Sequence, residues 1–470
     1  MNMSVSSLSS ALTESPTSSS SASPISSSDD EYQPLVQITS TSFVKPSSPT
    51  RRFNLYLPPT DTFFQNFFYV RDVLFFHTDG PHCNIQQALK DGLSDTLVHF
   101  YPVAGRLCGG DGECEELTVD CNDAGVEFVE AFVDYNFGEL QEKRFPILDF
   151  YNYLVPPTPD TKDAPLLYIQ ITTFNDGCGV AIGAAVNHVV FDGSSFWHFF
   201  NAWGQCCRGL GVSPPPIHVR VALHPKCWLN ESQLAQYLAL PRTAVHIRRH
   251  LVGKGHHRVV HFDSHTVQQL KQQAIQESGN SSISSYQAVL ASVWKTVVAA
   301  QNLPPEQKVC LYLKADLRKR LSPALPPTYF GNALEAVSVD ATVADVTGES
   351  EGEVAARIRK AVDVLNDEEY IRGRMAKCKG EEFMQLMGEL KSGKAHVLYV
   401  IHGPRLPIFD VDMGMHMGRP LAVRPATILS DPIMFVYPGQ EKGSIDVCVR
   451  FTSSQTLHNF LSMASPSIAI

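Results

Sequence analysis

The sequence predicts an α/β protein with mixed sheets. Short runs with two-residue alternation interleave with segments of helical spacing. Two buried strand-like runs meet at Asn175-Asp176-Gly177, a hairpin-like turn that demands antiparallel pairing. The same mixture of strands and helices resumes after a proline-rich crossover, without a strict repeat.

Residues 1–33 are set apart: Ser dominates, and few groups there can build a core. Such a tail cannot offset its ordering entropy and is expected to be disordered. A plastid transit peptide is also Ser-rich and poor in acids, but the first basic residue is Lys45, and Asp29, Asp30 and Glu31 close the tail. From Pro34 onward, residues 36–44 alternate as a strand, whereas 61–69 and 85–100 carry helical spacing. Tyr101-Pro-Val-Ala-Gly-Arg106 breaks the second helix, and strands follow at 117–121 and 126–132. Residues 166–174 and 179–190 read as neighbouring buried strands, and 194–207 as a helix rich in aromatics.

The prolines at 214–216 open a crossover. Strands are then expected at 258–262, 309–313, 397–401, 433–438 and 445–451. Helices are expected at 264–277, 284–300, 351–365 and 455–463, the first two each with a Ser placed to cap its start. The domain division is therefore a tail (1–33), an N-terminal domain (34–215), a crossover (216–250) and a C-terminal domain (251–470).

Composition excludes several classes. A net charge of -10 argues against a nucleic-acid binder. No apolar run approaches the roughly 20 residues that span a bilayer. The 11 cysteines are scattered, with no C-x-x-C pair, which fits reduced thiols in a cytoplasmic protein. His256, His257, His261 and His265 are a local cluster, but strand alternation sends neighbours to opposite faces, so no metal site is expected. Gly109-Gly-Asp-Gly112 lacks a Walker lysine and reads as a surface turn.

The chemistry concentrates at Asn187-His188-Val-Val-Phe-Asp192-Gly193, where an apolar strand runs into a polar pair and then a helix. A His there is aimed by a rigid element, and its ordinary pKa near 6.5 suits proton abstraction. Gly193 permits the turn, and Ser194 or Ser195 is placed to cap the helix. A bare His-x-x-x-Asp is nonetheless common by chance.

The surrounding sequence makes the pattern specific. NHVVFDGSSFWHFFNAW resembles the HxxxDG signature of the plant BAHD acyltransferases. SFVKP, HFYPVAGRL, VDCNDAGVEF, SSISSYQAVLASVW, KADLRKRLSPALPPTYFGNAL and VYPGQEKGSIDV follow as family landmarks in the right order. The resemblance implies two similar chloramphenicol-acetyltransferase-like domains with a channel between them. It implies a monomer that uses acyl-CoA as co-substrate, binds no cofactor or metal, and acylates a hydroxyl or amine of a small acceptor of plant secondary metabolism. His188 would be the general base, and Asp192 a structural partner of Arg318, with Arg320 as a competitor. Arg405 matches a position that clamps acceptor carboxylates in some hydroxycinnamoyl transferases. A loop salt bridge is the other reading for it.

One segment departs from the family. Where BAHD enzymes carry DFGWG, this chain reads Asp412-Met-Gly414-Met415-His-Met-Gly-Arg-Pro420, with Met415 at the Trp position and two extra residues. Asp412 and Gly414 keep a structural role in this reading, and Met415 is expected at the acceptor end of the channel. The change leaves two alternatives open: a base-catalysed reaction without CoA, such as a lyase step on a carboxylated metabolite, and a catalytically weak binding protein.

Overall fold

The strand Gly179–Val186 is buried at every position, as an apolar run without alternation must be when both faces are covered. The computed structural model in which it lies describes residues 35–65, 69–78, 84–109, 116–159, 161, 163–227, 230–232, 255–376, 392, 394–426 and 433–464. The Ser-rich tail, most of the glycine turn at 109–112 and much of the crossover at 216–250 fall outside these residues.

In chain order the first half supplies β1 (Val36–Val44), β2 (Asn54–Tyr56), α1 (Pro59–Thr62), β3 (Val70–His77), α2 (Ile85–His99), β4 (Arg106–Cys108), β5 (Thr118–Asp120), β6 (Val126–Val133), α3 (Phe137–Glu142), β7 (Leu167–Phe174), β8 (Gly179–Val186) and α4 (Gly193–Cys207). The second half supplies β9 (His256–Phe262), α5 (Ser264–Ser278), α6 (Ser285–Ala300), β10 (Lys308–Asp316), β11 (Leu334–Thr342), α7 (Val343–Gly348), α8 (Glu351–Asp363), α9 (Glu368–Ala376), β12 (Ala395–Ile401), β13 (Ala422–Pro425), β14 (Ile433–Pro438), β15 (Ile445–Phe451) and α10 (Ser454–Met463).

Two six-stranded sheets organise these elements, in the orders β1-β6-β7-β8-β3-β13 and β11-β10-β12-β14-β15-β9. Both are mixed: β6–β7, β10–β12 and β12–β14 run parallel, whereas β7–β8 is the expected hairpin. One face of the second sheet, with Val397, Tyr399, Phe435 and Tyr437, joins the core of the first half. The alternate residues Leu398, Val400, Met434 and Val436 pack in a separate core with Val289, Leu290 and Val293 of α6. The halves also interlock. The late strand β13 pairs with β3 of the first sheet, and Tyr437 Oη donates to Asp72 Oδ1 at 2.8 Å.

Several boundaries differ from the sequence reading. β8 stops at Val186, four residues short of the expected end, because Asn187 folds on itself. Its side-chain oxygen accepts from Val189 N at 3.1 Å, a local bond that competes with the sheet ladder. The cap of α4 is Asp192, whose carboxylate accepts from Ser195 N, and not Ser194 or Ser195. Asp263 likewise caps α5, while Ser284 does cap α6 in a full capping box. Among the described residues, the helix expected over 61–69 is the single turn α1, entered through Pro58 and Pro59; residues 66–68 lie outside them.

Candidate active site

His188 lies in the turn between β8 and α4, so the Asn187 turn that ends the strand also presents the imidazole. His188 is partly buried, and Phe64 covers one face of the ring, stacked at 3.8 Å between centroids and 7° between planes. His188 Nδ1 lies 3.1 Å from Asn332 Oδ1.

The Asn332 amide cannot be turned over without losing bonds. Its nitrogen donates to Asp61 Oδ1 at 2.8 Å, to the His188 carbonyl at 2.8 Å and to the Val189 carbonyl at 3.2 Å. All three are acceptors, so Asn332 Oδ1 is the atom facing the imidazole. An amide oxygen only accepts, hence His188 carries its proton on Nδ1 and leaves a lone pair on Nε2. Burial pushes the imidazole pKa down to about 4, with the Lys314 ammonium adding to the effect. A hydrogen bond of the ring to its own backbone, the Asp192 charge and the bond to Asn332 oppose the fall. The ring is therefore neutral at physiological pH, the form in which a histidine accepts a proton.

Asp192 is engaged by Arg318 rather than by His188. Arg318 donates to Asp192 Oδ2 at 2.8 Å and to Oδ1 at 3.0 Å, a bidentate pair in which both residues are buried. Ser195 N and Ala333 N complete the carboxylate's partners at 2.9 and 3.0 Å. Burial alone would raise the Asp192 pKa; Arg318 and the two backbone donors reverse that and hold it below the usual carboxylate value. Arg320, the competitor for this role, bonds Asn366 instead.

The remaining sequence-predicted residues lie along α4. Leu406 reaches the start of the helix at Gly193, Pro407 O accepts from Asn201, and Asp412 meets Gly204 and Arg208 near its end. Arg405 is consequently near the His188 end; it is exposed and forms no salt bridge among the described residues. The segment 412–418 is at the other end, since Gly193 to Gly204 spans roughly 17 Å of helix at about 1.5 Å per residue. Gly414, Met415 and His416 have φ of 63, 51 and 65°, forming a left-handed turn closed by Met417 N to Gly414 O at 2.7 Å. Met413 and Met417 are buried in the core. The left-handed turn beside Arg208 takes up the two extra residues, and partly buried Met415 packs against the core of the first half.

Sequence reasoning missed Asp61, Phe64, Lys314 and Asn332 as parts of this site. Lys314 Nζ stands 4.6 Å over the Phe63 ring and 5.7 Å over Phe64. Asn332 was visible within the landmark YFGN, but without a role; Asp61 was legible only as an acid between two threonines.

The chain matches the Transferase family over residues 35–464, nearly its whole length. It belongs to the plant BAHD acyltransferases. The acyltransferase is 31% identical over 436 residues to a hydroxycinnamoyltransferase of Narcissus pseudonarcissus, a match spanning 88% of this chain and 96% of the relative. It is 29% identical over 435 residues to the shikimate O-hydroxycinnamoyltransferase of Nicotiana tabacum, covering 86% and 93% of the two chains. Among solved structures, vinorine synthase superposes with a TM-score of 0.69 at 21% identity, covering 92% of this chain and 99% of that one. The F. sporotrichioides protein TRI101, solved with coenzyme A and T-2, gives a TM-score of 0.66 at 17% identity, covering 88% and 97%. The enzyme is an acyl-CoA-dependent acyltransferase acting on small acceptors, and its two-sheet architecture is that of these structures. The lyase and binding-protein alternatives are set aside. No helix among the described residues is long and apolar enough to cross a membrane.

Proposed function

We propose that His188 Nε2 is the general base that activates the acceptor. The observation that carries this reading is the Asn332 clamp on Nδ1, which leaves the Nε2 lone pair free on a residue that is only partly buried. The acceptor O–H or N–H gives its proton to Nε2 as its heteroatom attacks the thioester carbonyl. The tetrahedral intermediate then collapses, the C–S bond breaks, and the imidazolium returns the proton to the departing thiolate. An imidazole with pKa about 4 releases that proton readily. General-base help of this kind contributes about 10²–10⁴-fold. The step consumes no oxidant and leaves no acyl group on the protein.

The donor we propose is a hydroxycinnamoyl-CoA, supported by the names of the two plant relatives. Donor and acceptor meet at His188 in a channel between the halves, and exposed Arg405 receives an acceptor carboxylate near the start of α4. The enzyme works as a cytoplasmic monomer without a resident cofactor, and Asp412 and Gly414 serve as structure rather than chemistry.

The test is a matrix of hydroxycinnamoyl, benzoyl, malonyl and acetyl thioesters against hydroxyl and amine acceptors, with and without a carboxylate. Thiol release is followed together with product mass. Transfer confined to aromatic donors is expected. Product formed from one small molecule without CoA release contradicts the reading.

A further inference from the structure

We infer that Asp61, held by Arg220, is a positioning residue that fixes the proton on His188 Nδ1 by locking the Asn332 amide. Asp61 is fully buried in α1, and three donors converge on its carboxylate. Asn332 N and Nδ2 both reach Oδ1 at 2.8 Å, and Arg220 Nη1 reaches Oδ2 at 2.6 Å. Burial pushes this carboxyl upward against the pull of Arg220, yet donors alone surround its oxygens, which leaves no partner for a carboxyl proton. Asp61 is thus an acceptor at both oxygens, and this dictates which end of the Asn332 amide faces it.

Arg220 anchors the arrangement from the crossover. It is buried, and its Nη2 donates to the Val190 carbonyl at 2.9 Å, inside the turn that carries His188. Phe64 lies one helical turn beyond Asp61 and stacks on the imidazole. The short segment from Asp61 to Phe64 therefore holds His188 in two ways: Phe64 sets the plane of the ring, and Asp61 acts through Asn332 on its tautomer. Without the Asp61 carboxylate the Asn332 side-chain amide loses its one charged acceptor and keeps only the His188 and Val189 carbonyls, while the Asn332 backbone N–H loses its partner; the opposite orientation puts an N–H₂ against Nδ1. That orientation selects the Nε2–H tautomer, in which the atom facing the reaction already holds a proton.

This inference rests on His188 being the base, but its readout does not depend on turnover. The experiment is long-range 1H–15N correlation of the histidine side chains in ¹⁵N-histidine-labelled enzyme at pH 7, with the His188 signals assigned by their loss in His188→Gln. Asp61→Asn is compared with the double variant Asp61→Asn/Arg220→Gln, which leaves no lone buried charge and so is expected to fold if the single variant does not. Wild type should show the Nδ1–H tautomer alone. The folded variant should show a mixture with Nε2–H, with kcat reduced at least 10-fold and the KM for acyl-CoA within a few-fold. A folded variant that keeps the single Nδ1–H tautomer overturns the inference whatever its turnover, whereas a mixed tautomer with wild-type kcat counts against His188 as the base. Activity surviving in His188→Gln would sink the base assignment and leave the tautomer result standing.

Discussion

Arg318 grips Asp192 through both terminal nitrogens, at 2.8 and 3.0 Å, and the same guanidinium reaches Ser195 Oγ at 3.1 Å and the Tyr329 carbonyl at 3.1 Å. The aspartate of the motif therefore ties the start of α4 to the second half, while the histidine four residues earlier is bonded to Asn332. Asp192→Ala leaves a buried guanidinium without its counter-charge, a loss of about 3–5 kcal/mol. The expected outcome is a lower Tm as well as reduced turnover. An unchanged Tm with turnover abolished would assign Asp192 a direct part in the chemistry.

The proton affinity of His188 has a visible consequence. Below its folded pKa the imidazole already holds a proton and cannot accept one; above it the ring is neutral and competent. Because burial lowers that pKa to about 4, the acid limb of kcat/KM should fall near pH 4, not near the ordinary histidine value of about 6.5. Rates from pH 4 to 8 with a fixed donor decide this. A half-maximal point at 6.5 would mean that the ring is far better hydrated than its packing against Phe64 indicates.

At the far end of α4 the altered loop makes a graded prediction. Arg208 and Asp412 pair at 3.1 Å but both are about a third exposed, so Arg208→Ala should cost only about 0.2–1 kcal/mol. Gly204→Ala should cost more, because its Cβ would sit 2.4 Å from the Asp412 carbonyl oxygen. Restoring the family's length by deleting His416–Met417 with Met415→Trp should likewise change Tm and leave the ranking of acceptors unchanged. A reordered acceptor profile would place this loop against the substrate after all.

How much of this was legible beforehand follows from chain distance. His188 and Asp192 share one turn, and Arg318 sits in a recognisable motif, so the resemblance carried all three. The Asp61–Asn332 contact joins residues 271 apart, and no periodicity or local motif records such a pairing. Element types were mostly readable because hydrophobic periodicity encodes burial. The ends were not: Asn187 stops β8 through its own side chain, and Asp192 displaces the serines as cap because its carboxylate is already fixed by Arg318. β13 was missed because a four-residue strand in the second half pairs with β3 of the first sheet, a partnership its own sequence does not signal.

The junction between the sheets gives a further test. Tyr437 Oη donates to Asp72 Oδ1 at 2.8 Å, and His402 Nε2 lies 3.4 Å from Oδ2 of the same buried carboxylate. Tyr437→Phe removes a hydrogen bond to a charged group and should destabilise by about 1.5–3 kcal/mol. Thermal unfolding of the purified variant reads it. A Tm equal to wild type would show that this contact adds nothing to holding the halves together.

The central claim is that His188 takes the acceptor's proton, and the most direct measurement is the rate of CoA thiol release by purified His188→Ala beside wild type, at a saturating donor and acceptor, with circular dichroism to verify the fold. Replacing the imidazole by a methyl group should leave the fold intact and lower kcat by about 10²–10⁴-fold. A folded His188→Ala enzyme that releases thiol within a few-fold of the wild-type rate would contradict the account.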